Sequence, residues 1–263
     1  MNLLRKSCSA TILIFLFLLP AAAFSFSLEG RVKEYTLENG MTVLLLERRQ
    51  SPTISFHIRF RVGAVDENVG ATGTAHLLEH MLFKGTKTLG TKNHAEEEKI
   101  LTRIDSVALS LDAEKGKGEK ADKDFLKYLE ENFQKLLEEH KKWVVKDEIE
   151  RIYSQNGAVG FNAFTSQDST AYVVSLPSNR LELWARVEAD RLLNPVLREF
   201  YSERDVVMEE RRRSYDSKPQ RKLVEHFLAA AFMAHSYGRP IIGWTSDIQS
   251  LDKRATEDFF RTF

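Results

Sequence analysis

Residues 73–86 read Gly73-Thr74-Ala75-His76-Leu77-Leu78-Glu79-His80-Met81-Leu82-Phe83-Lys84-Gly85-Thr86. Alanine, leucine and methionine are good helix formers, so this stretch predicts a helix that ends near its second glycine. In a helix, side chains four positions apart lie on one face, so the imidazoles of His76 and His80 stack there. Glu79 precedes the second histidine by one position, and its carboxylate therefore projects into the same space.

Two imidazoles beside a carboxylate are typical of a zinc hydrolase. Neutral imidazoles suit a borderline-soft divalent cation, and a nearby carboxylate can take a proton from a metal-bound water, whose pKa the metal lowers toward ~7. The residue order is H-x-x-E-H, the inverse of the commoner H-E-x-x-H. The bare pattern also allows a second interpretation, a pair of ordinary core or surface histidines on a helix.

Five segments, in the same order along the chain, resemble the M16 metallopeptidases, the family of pitrilysin and the mitochondrial processing peptidase. Residues 73–86 resemble the signature of the family. The other four segments resemble its first hairpin, its substrate-binding strand, its helix with the last metal ligand and the segment that usually follows, at residues 39–43, 162–166, 203–210 and 235–243. Five ordered matches favour the hydrolase interpretation over ordinary histidines.

The resemblance completes a candidate metal site. A catalytic zinc needs three protein ligands and one open position. After His76 and His80, the family pattern implies that the third ligand of the single zinc ion is Glu210. Glu79 is expected to act as the general base on the zinc-bound water. Glu203 lies seven positions before Glu210 on the same helical face, so it is expected to accept a hydrogen bond from a ligand histidine.

Other carboxylates and histidines are expected to lie outside this site. Glu209 points about a hundred degrees away from its neighbour Glu210 and is expected to be solvated. Asp66 and Glu67 are expected to be solvated carboxylates in a glycine-rich loop. The remaining histidines are expected to be structural or solvated, with His235 the first exception to consider because it falls in a matched segment; they are His57, His94, His140, His226 and His235.

The segment Asn162, Ala163, Phe164 and Thr165 is the candidate substrate-binding element. An exposed strand edge beside the metal can pair with an extended peptide through backbone hydrogen bonds. The resemblance implies this role, with the asparagine near the scissile bond. From the residues alone, a plain buried strand is the alternative.

Composition limits the class of protein. A chain of 263 residues with 43% hydrophobic content can bury one sizeable core. Its 38 basic and 38 acidic side chains cancel, which gives no electrostatic reason to expect nucleic acid as a partner. The only cysteine is Cys8, so histidine and carboxylate are the strong ligands available.

The N-terminus predicts a signal peptide over residues 1–25. Arg5 and Lys6 precede an apolar run, and small residues lie before Phe24 and Ser25. A retained membrane anchor is the alternative, although the apolar run is short for a full span. After cleavage we expect no stable membrane span and a periplasmic or secreted bacterial protein.

The remainder, residues 26–263, predicts one α+β domain with a largely antiparallel sheet covered by helices. The resemblance implies the same M16-like fold. Residues 107–150 are rich in lysine and glutamate and are interpreted as a helical insertion, since the family joins its metal helix to the next strand by a shorter path. Strands are predicted at 32–37, 41–47, 53–62, 161–165 and 170–176, and helices from about 94 and at 179–193, 199–215, 221–234 and 252–263.

Two functions from different classes follow. The first is a zinc endopeptidase that cleaves extended peptides or small unfolded proteins and works with a second M16-like half or subunit. The chain is expected to be the N-terminal half of that architecture, truncated at its C-terminus, so that metal binding survives while efficient proteolysis needs the second half. The second function is a non-catalytic M16-like subunit that binds peptides or a partner. A purely structural metal site is disfavoured, because such sites normally close with four protein ligands.

Overall fold

The computed structural model describes residues 30–263. The predicted signal peptide, residues 1–25, lies outside the described residues. Among the helices that are described, none combines the length and the apolar character needed to cross a membrane. The contacts divide the chain between Ser51 and Pro52 into two compact units.

The described part of the first unit is a β-hairpin. Strands β1 (Val32–Thr36) and β2 (Thr42–Leu46) pair in antiparallel fashion. The Asn39 side chain accepts a hydrogen bond of 3.1 Å from the Met41 backbone N–H, and Gly40 has a positive φ of 84°. Asn-Gly favours such a turn because both residues tolerate positive φ. The predicted hairpin is confirmed.

The second unit contains a three-stranded antiparallel sheet. Its strands are β3 (Thr53–Phe60), β4 (Val159–Thr165) and β5 (Thr170–Pro177), in the order β3-β5-β4. Strand β5 lies in the centre, and most of its side chains are buried. Strand β4 lies at one edge, and its pairing with β5 is irregular between Val159 and Asn162. The predicted antiparallel sheet is confirmed.

The α-helices of the described residues complete an α+β fold, as the sequence predicts. They are, in chain order, α1 (Thr74–Met81), α2 (His94–Lys115), α3 (Lys123–Lys141), α4 (Glu148–Gln155), α5 (Leu181–Leu193), α6 (Phe200–Arg211), α7 (Pro219–Ala231), α8 (Thr245–Ser250) and α9 (Lys253–Thr262).

One predicted helix, residues 199–215, is interrupted. Its α-helical part, α6, ends at Arg211, and a π-helical turn follows at Arg212–Asp216. In that turn the Ser217 N–H donates to the Arg212 carbonyl five residues earlier, at 3.0 Å. Such a wide turn inserts one extra residue into the helical repeat.

The lysine- and glutamate-rich region forms a pair of packed helices. Helix α2 starts at residue 94, before the predicted segment 107–150, and it packs against α3. Leu129 and Leu136 of α3 are buried, so an apolar face of this charged helix packs into the core. The interpretation of residues 107–150 as an insertion stays a prediction.

Buried apolar side chains form two clusters in the second unit. One cluster joins α1 to α2, α3 and α6, and the other joins the sheet to α4 and α5. Their central members are Leu77, Met81, Ile104, Leu136, Phe200 and Val207 in the first, and Phe56, Ile149, Tyr153, Val174 and Leu176 in the second.

A buried arginine supports the loop after α1. Arg198, with 1% exposure, donates to the carbonyl oxygens of Lys84 at 2.7 Å, Thr86 at 2.7 Å and Leu89 at 3.1 Å. Its Nε also binds Glu97 of α2 at 2.9 Å. The guanidinium therefore ties the loop that follows α1 to the helix after it.

We predict that Arg198→Met lowers the free energy of unfolding by about 3–5 kcal/mol, because it removes the buried guanidinium that pairs with the Glu97 carboxylate, while His140 remains beside that charge. Urea unfolding measures this loss. The matched control is Arg186→Met, since the Arg186–Glu182 pair is exposed and should cost less than about 1 kcal/mol. Equal losses in the two variants would contradict the prediction.

Candidate metal centre

Helix α1 presents an apolar face to the core and a polar face to the candidate site. Gly73, which precedes the helix, has a φ of 93°, and a Cβ there would meet the Ile242 carbonyl oxygen at 2.6 Å, so glycine is required. Leu77 and Met81 have no exposed surface. The two histidines and the glutamate of the motif occupy the other side.

The N-terminus of α1 is capped by Glu67, where the sequence predicted a solvated loop carboxylate. That prediction is wrong for Glu67, which is 4% exposed. Its two carboxylate oxygens accept hydrogen bonds from the backbone N–H groups of Gly73 at 2.9 Å and Ala75 at 2.8 Å. The first turn of a helix has free N–H groups that need acceptors, and α1 has no capping side chain at Gly73. Burial raises the pKa of Glu67 to about 8, against the opposing effect of these two bonds.

The structure brings the three predicted ligands together. His76 Nε2 lies 3.8 Å and His80 Nε2 lies 3.6 Å from Glu210 Oε2. One ligand atom from each of the three residues falls within 4.8 Å of the others. The histidines come from α1 and the glutamate comes from α6, so the packing of these two helices assembles the cluster.

The geometry and chemistry of this cluster fit zinc. Ligand atoms at about 2.0–2.1 Å from a tetrahedral zinc lie roughly 3.4 Å apart, close to the 3.8 and 3.6 Å that separate Glu210 Oε2 from the two imidazole nitrogens. Burial, reinforced by the neighbouring His80, lowers the pKa of His76 to about 4, which keeps that imidazole neutral as a ligand must be. Burial also lowers the pKa of His80, but nearby carboxylates, Glu203 first, outweigh it and raise the value.

Glu79 lies beside the cluster and is 8% exposed. Its carboxylate accepts a hydrogen bond from the Thr165 hydroxyl at the end of β4. Burial raises the pKa of Glu79, and the bond from Thr165 and the charge of His80 act in the opposite direction. The candidate base is therefore shielded from solvent and oriented by the candidate substrate strand.

Glu203 lies beside the imidazole of His80. Its Oε2 lies 3.4 Å from His80 Nδ1, the ring nitrogen that faces away from Glu210. The other oxygen, Oε1, lies 2.6 Å from the Nζ of Lys84, a residue that the sequence reasoning left out. The available signal was spacing, because Lys84 follows His80 by four positions.

Other candidate residues remain apart from the cluster. Glu209 is partly exposed and forms ion pairs with Arg212 and Arg213, which lower its pKa to about 2. This agrees with the predicted solvated carboxylate. His140 is buried against Glu97 at 2.9 Å, a structural role. Among the described residues, the candidate metal cluster consists of His76, His80 and Glu210. It does not include His57, His94, His226 or His235.

The candidate substrate strand is β4. Ala163 is 8% exposed and belongs to the core cluster around α1, whereas Phe164 is 52% exposed. In the described part of the chain, no strand pairs with the edge of β4 opposite β5. A backbone edge close to α1 is thus free of strand partners, and the alternative of a plain buried strand is not what the structure has. The binding roles of Asn162 to Thr165 stay predictions.

The family model described as Insulinase (Peptidase family M16) matches residues 42–117 and 133–245. These segments contain α1, β4 and α6 and therefore the whole candidate centre. The chain belongs to peptidase family M16. The stretch between the two matched segments, residues 118–132, covers the connection between α2 and α3 and the first part of α3.

Curated relatives extend the comparison. A zinc protease of Helicobacter pylori, PqqE, is 26% identical over 240 residues, which cover 90% of this chain and 41% of the relative. An uncharacterized zinc protease of Mycobacterium leprae is 27% identical over 226 residues, which cover 85% of this chain and 38% of the relative. The chain thus spans about two fifths of the length of these relatives.

Solved structures share the fold. A protease from Helicobacter pylori has a TM-score of 0.63 at 25% identity, covering 87% of this chain and 42% of that one. The periplasmic protease PqqL from Escherichia coli has a TM-score of 0.61 at 16% identity, covering 89% of this chain and 21% of that one. At such low identity the second likeness concerns the fold alone.

We predict that ionisation of Glu67 destabilises the fold. Because its pKa is raised on folding, its contribution to stability is full below about pH 4.5 and is lost as the pH rises through about 8. The free energy of unfolding of the wild type should therefore fall relative to that of Glu67→Gln by more than about 1 kcal/mol between pH 5 and pH 9. Denaturant unfolding of both proteins across this range measures it. Parallel pH curves would show that the two backbone bonds outweigh burial.

Proposed function

We propose that this chain is the zinc-binding part of an endopeptidase that hydrolyses extended peptides or small unfolded proteins. The convergence of one ligand atom each from His76, His80 and Glu210 within 4.8 Å, with Glu79 beside them, carries the proposal. Relatives named zinc proteases support zinc as the metal. One ion would be held by the Nε2 atoms of the histidines and by Oε2 of the glutamate.

The proposed chemistry depends on Glu79. When bound, zinc supplies Lewis acidity, which makes water more acidic and polarises a carbonyl group. The Glu79 carboxylate takes a proton from the attacking water and returns it to the leaving amine. Burial moves the pKa of Glu79 upward, toward neutral pH, which suits a group that must both accept and donate a proton. The Thr165 hydroxyl orients the carboxylate for both transfers.

The proposed substrate-binding element is the free edge of β4. An extended peptide that pairs with this edge gains backbone hydrogen bonds with little dependence on its side chains. Asn162, Ala163, Phe164 and Thr165 make up this part of the strand, and the last of them contacts the proposed base. A peptide on this edge would therefore lie close to Glu79.

We further propose a second M16-like domain or subunit as partner, and a periplasmic or secreted location. The length of the relatives, of which this chain spans about two fifths, supports the partner. The predicted signal peptide supports the location.

The zinc and the base can be separated by mutation. We expect Glu79→Gln to keep about one zinc ion per chain while peptide cleavage falls by about a factor of 100 or more, since the ligands remain and the base is lost. His76→Ala, His80→Ala and Glu210→Ala should release the metal. Zinc content and cleavage of a fluorogenic peptide, measured on the same samples, check both expectations.

The matched control for this series is Glu209→Gln, which removes the neighbouring carboxylate and should leave zinc content and cleavage unchanged. A Glu210→Ala protein with full zinc content would contradict the proposed ligand set. Full cleavage by Glu79→Gln would contradict the proposed base.

A second experiment tests the partner. The chain is expressed alone and together with a candidate second M16-like protein encoded beside it, and chelator-sensitive peptide cleavage is measured. We expect cleavage to rise with the second protein, because closure over the site excludes water and orients the peptide. The Glu79→Gln chain with the same partner is the control. Peptide binding without chelator-sensitive cleavage would instead favour a non-catalytic subunit.

A further inference from the structure

Lys84 lies just beyond the metal helix and faces the carboxylates of α6. Its Nζ is 2.6 Å from Glu203 Oε1 and 3.7 Å from Glu199 Oε2. The side chains of Lys84 and Glu203 are 21% and 12% exposed. This ion pair is therefore largely shielded from water. Charge-assisted hydrogen bonds are stronger in such a shielded place than in water.

Glu203 connects this lysine to the candidate metal centre. While Oε1 binds Lys84, Oε2 lies 3.4 Å from His80 Nδ1. The Nε2 atom of the same imidazole lies 3.6 Å from Glu210 Oε2. One continuous series of contacts thus runs from the ammonium group through a carboxylate and an imidazole to the third ligand.

The backbone of Lys84 is fixed at both of its polar groups. Its N–H donates to the Met81 carbonyl at 3.0 Å, and its carbonyl oxygen accepts from the buried Arg198 at 2.7 Å. Its side chain therefore starts from a held position. Glu203, in contrast, has three side-chain torsions and only one long contact to His80, which is too weak alone to hold the carboxylate in one orientation.

We propose that Lys84 is a positioning residue of the metal centre. Its ammonium group holds Glu203 with Oε2 toward His80 Nδ1, so that the imidazole keeps Nε2 directed at the metal. The inference rests on the proposed metal site and adds a residue to it. Groups that orient a ligand histidine in this way typically change metal affinity by 10- to 100-fold when lost.

A purely structural role for Lys84 makes a different prediction. An ion pair that only joins the end of α1 to α6 would contribute to the stability of the zinc-free protein. It would not change zinc affinity in a way that depends on Glu203. Zinc affinity and its coupling to Glu203 therefore separate the two roles.

The test uses the 263-residue chain and zinc itself as the probe, with the dissociation constant obtained by competition against a chelator. We expect Lys84→Met to weaken zinc binding about tenfold and Lys84→Arg to stay within about threefold of the wild type. The matched control is Lys99→Met, because the Lys99–Glu96 pair has the same 2.6 Å separation but lies exposed on α2. The control should bind zinc like the wild type.

A double-mutant cycle decides whether Lys84 acts through Glu203. In a Glu203→Gln background, Lys84→Met should cause no further loss of zinc affinity, because the carboxylate it orients is already gone. The same tenfold loss in both backgrounds overturns the proposal, as does a Lys84→Met protein with wild-type affinity. If Lys84→Met does not fold, the comparison of Lys84→Gln with Lys84→Arg replaces it, and equal affinities there overturn the proposal.

Zinc binding by the wild type separates the hypothesis of the metal site from the hypothesis about Lys84. A wild-type chain that binds zinc, with Lys84 variants that bind it equally well, overturns only the role of Lys84. A wild-type chain that binds no zinc overturns the metal site itself and the inference with it.

Discussion

The packing of α1 against α6 is the constraint on which the candidate centre depends. Neither helix holds three ligand side chains, and His80 and Glu203 are 123 residues apart in the chain. Val207 lies on α6 between Glu203 and Glu210 and has no exposed surface, and it shares its core cluster with Leu77 of α1. Burial of these apolar side chains, at roughly 25 cal/mol per Å² of area, fixes how the two helices meet. The polar groups beside this apolar contact are then brought together as a consequence.

Hydrogen bonds with side chains fix both ends of α1, in addition to the apolar packing of the helix. At the N-terminal end, the Glu67 carboxylate accepts the N–H groups that the helix leaves free. At the C-terminal end, the buried guanidinium of Arg191 donates to the Leu82 carbonyl at 3.1 Å, and that of Arg198 donates to the Lys84 carbonyl at 2.7 Å. The two guanidinium groups also interact favourably with the negative C-terminal end of the helix macrodipole. Both ends of α1 are therefore fixed, in addition to its packing against α6.

Arg191 also connects α1 to the sheet that contains β4, the candidate substrate strand. Its guanidinium lies 4.8 Å from the ring centre of Tyr172 and 5.9 Å from that of Phe161 on β4, and it forms a buried ion pair with Glu188. Arginine suits such a place because its planar cation stacks on rings while it donates hydrogen bonds at its edge. A shift of β4 relative to α1 would disturb this buried cation, so Arg191 opposes such a shift.

The parts of this site that follow from local periodicity were predictable, and those that depend on distant pairing were not. Spacing of four placed His76 and His80 on one face of α1, whereas Glu210 was implied by the family resemblance, and spacing of seven then placed Glu203 on the same face of α6. Arg198 and Glu97 are 101 residues apart, and nothing in a chain with many such charges marks those two as partners. Glu67 could have been found, because a helix that begins at a glycine lacks a capping side chain and needs an acceptor from elsewhere.

The exposure of the site is uneven, and this links the proposed metal to the proposed partner. Glu79 is 8% exposed, whereas the side chain of Glu210 is 41% exposed. The proposed base thus lies on the closed side of the candidate centre and the proposed third ligand on the open side. Electrostatic interactions weaken where water has access, so a carboxylate ligand at the open side gains most from a cover. In the proposed assembly, a second domain would cover that side. The same surface of that domain would exclude water from the proposed ligand and confine the peptide to β4.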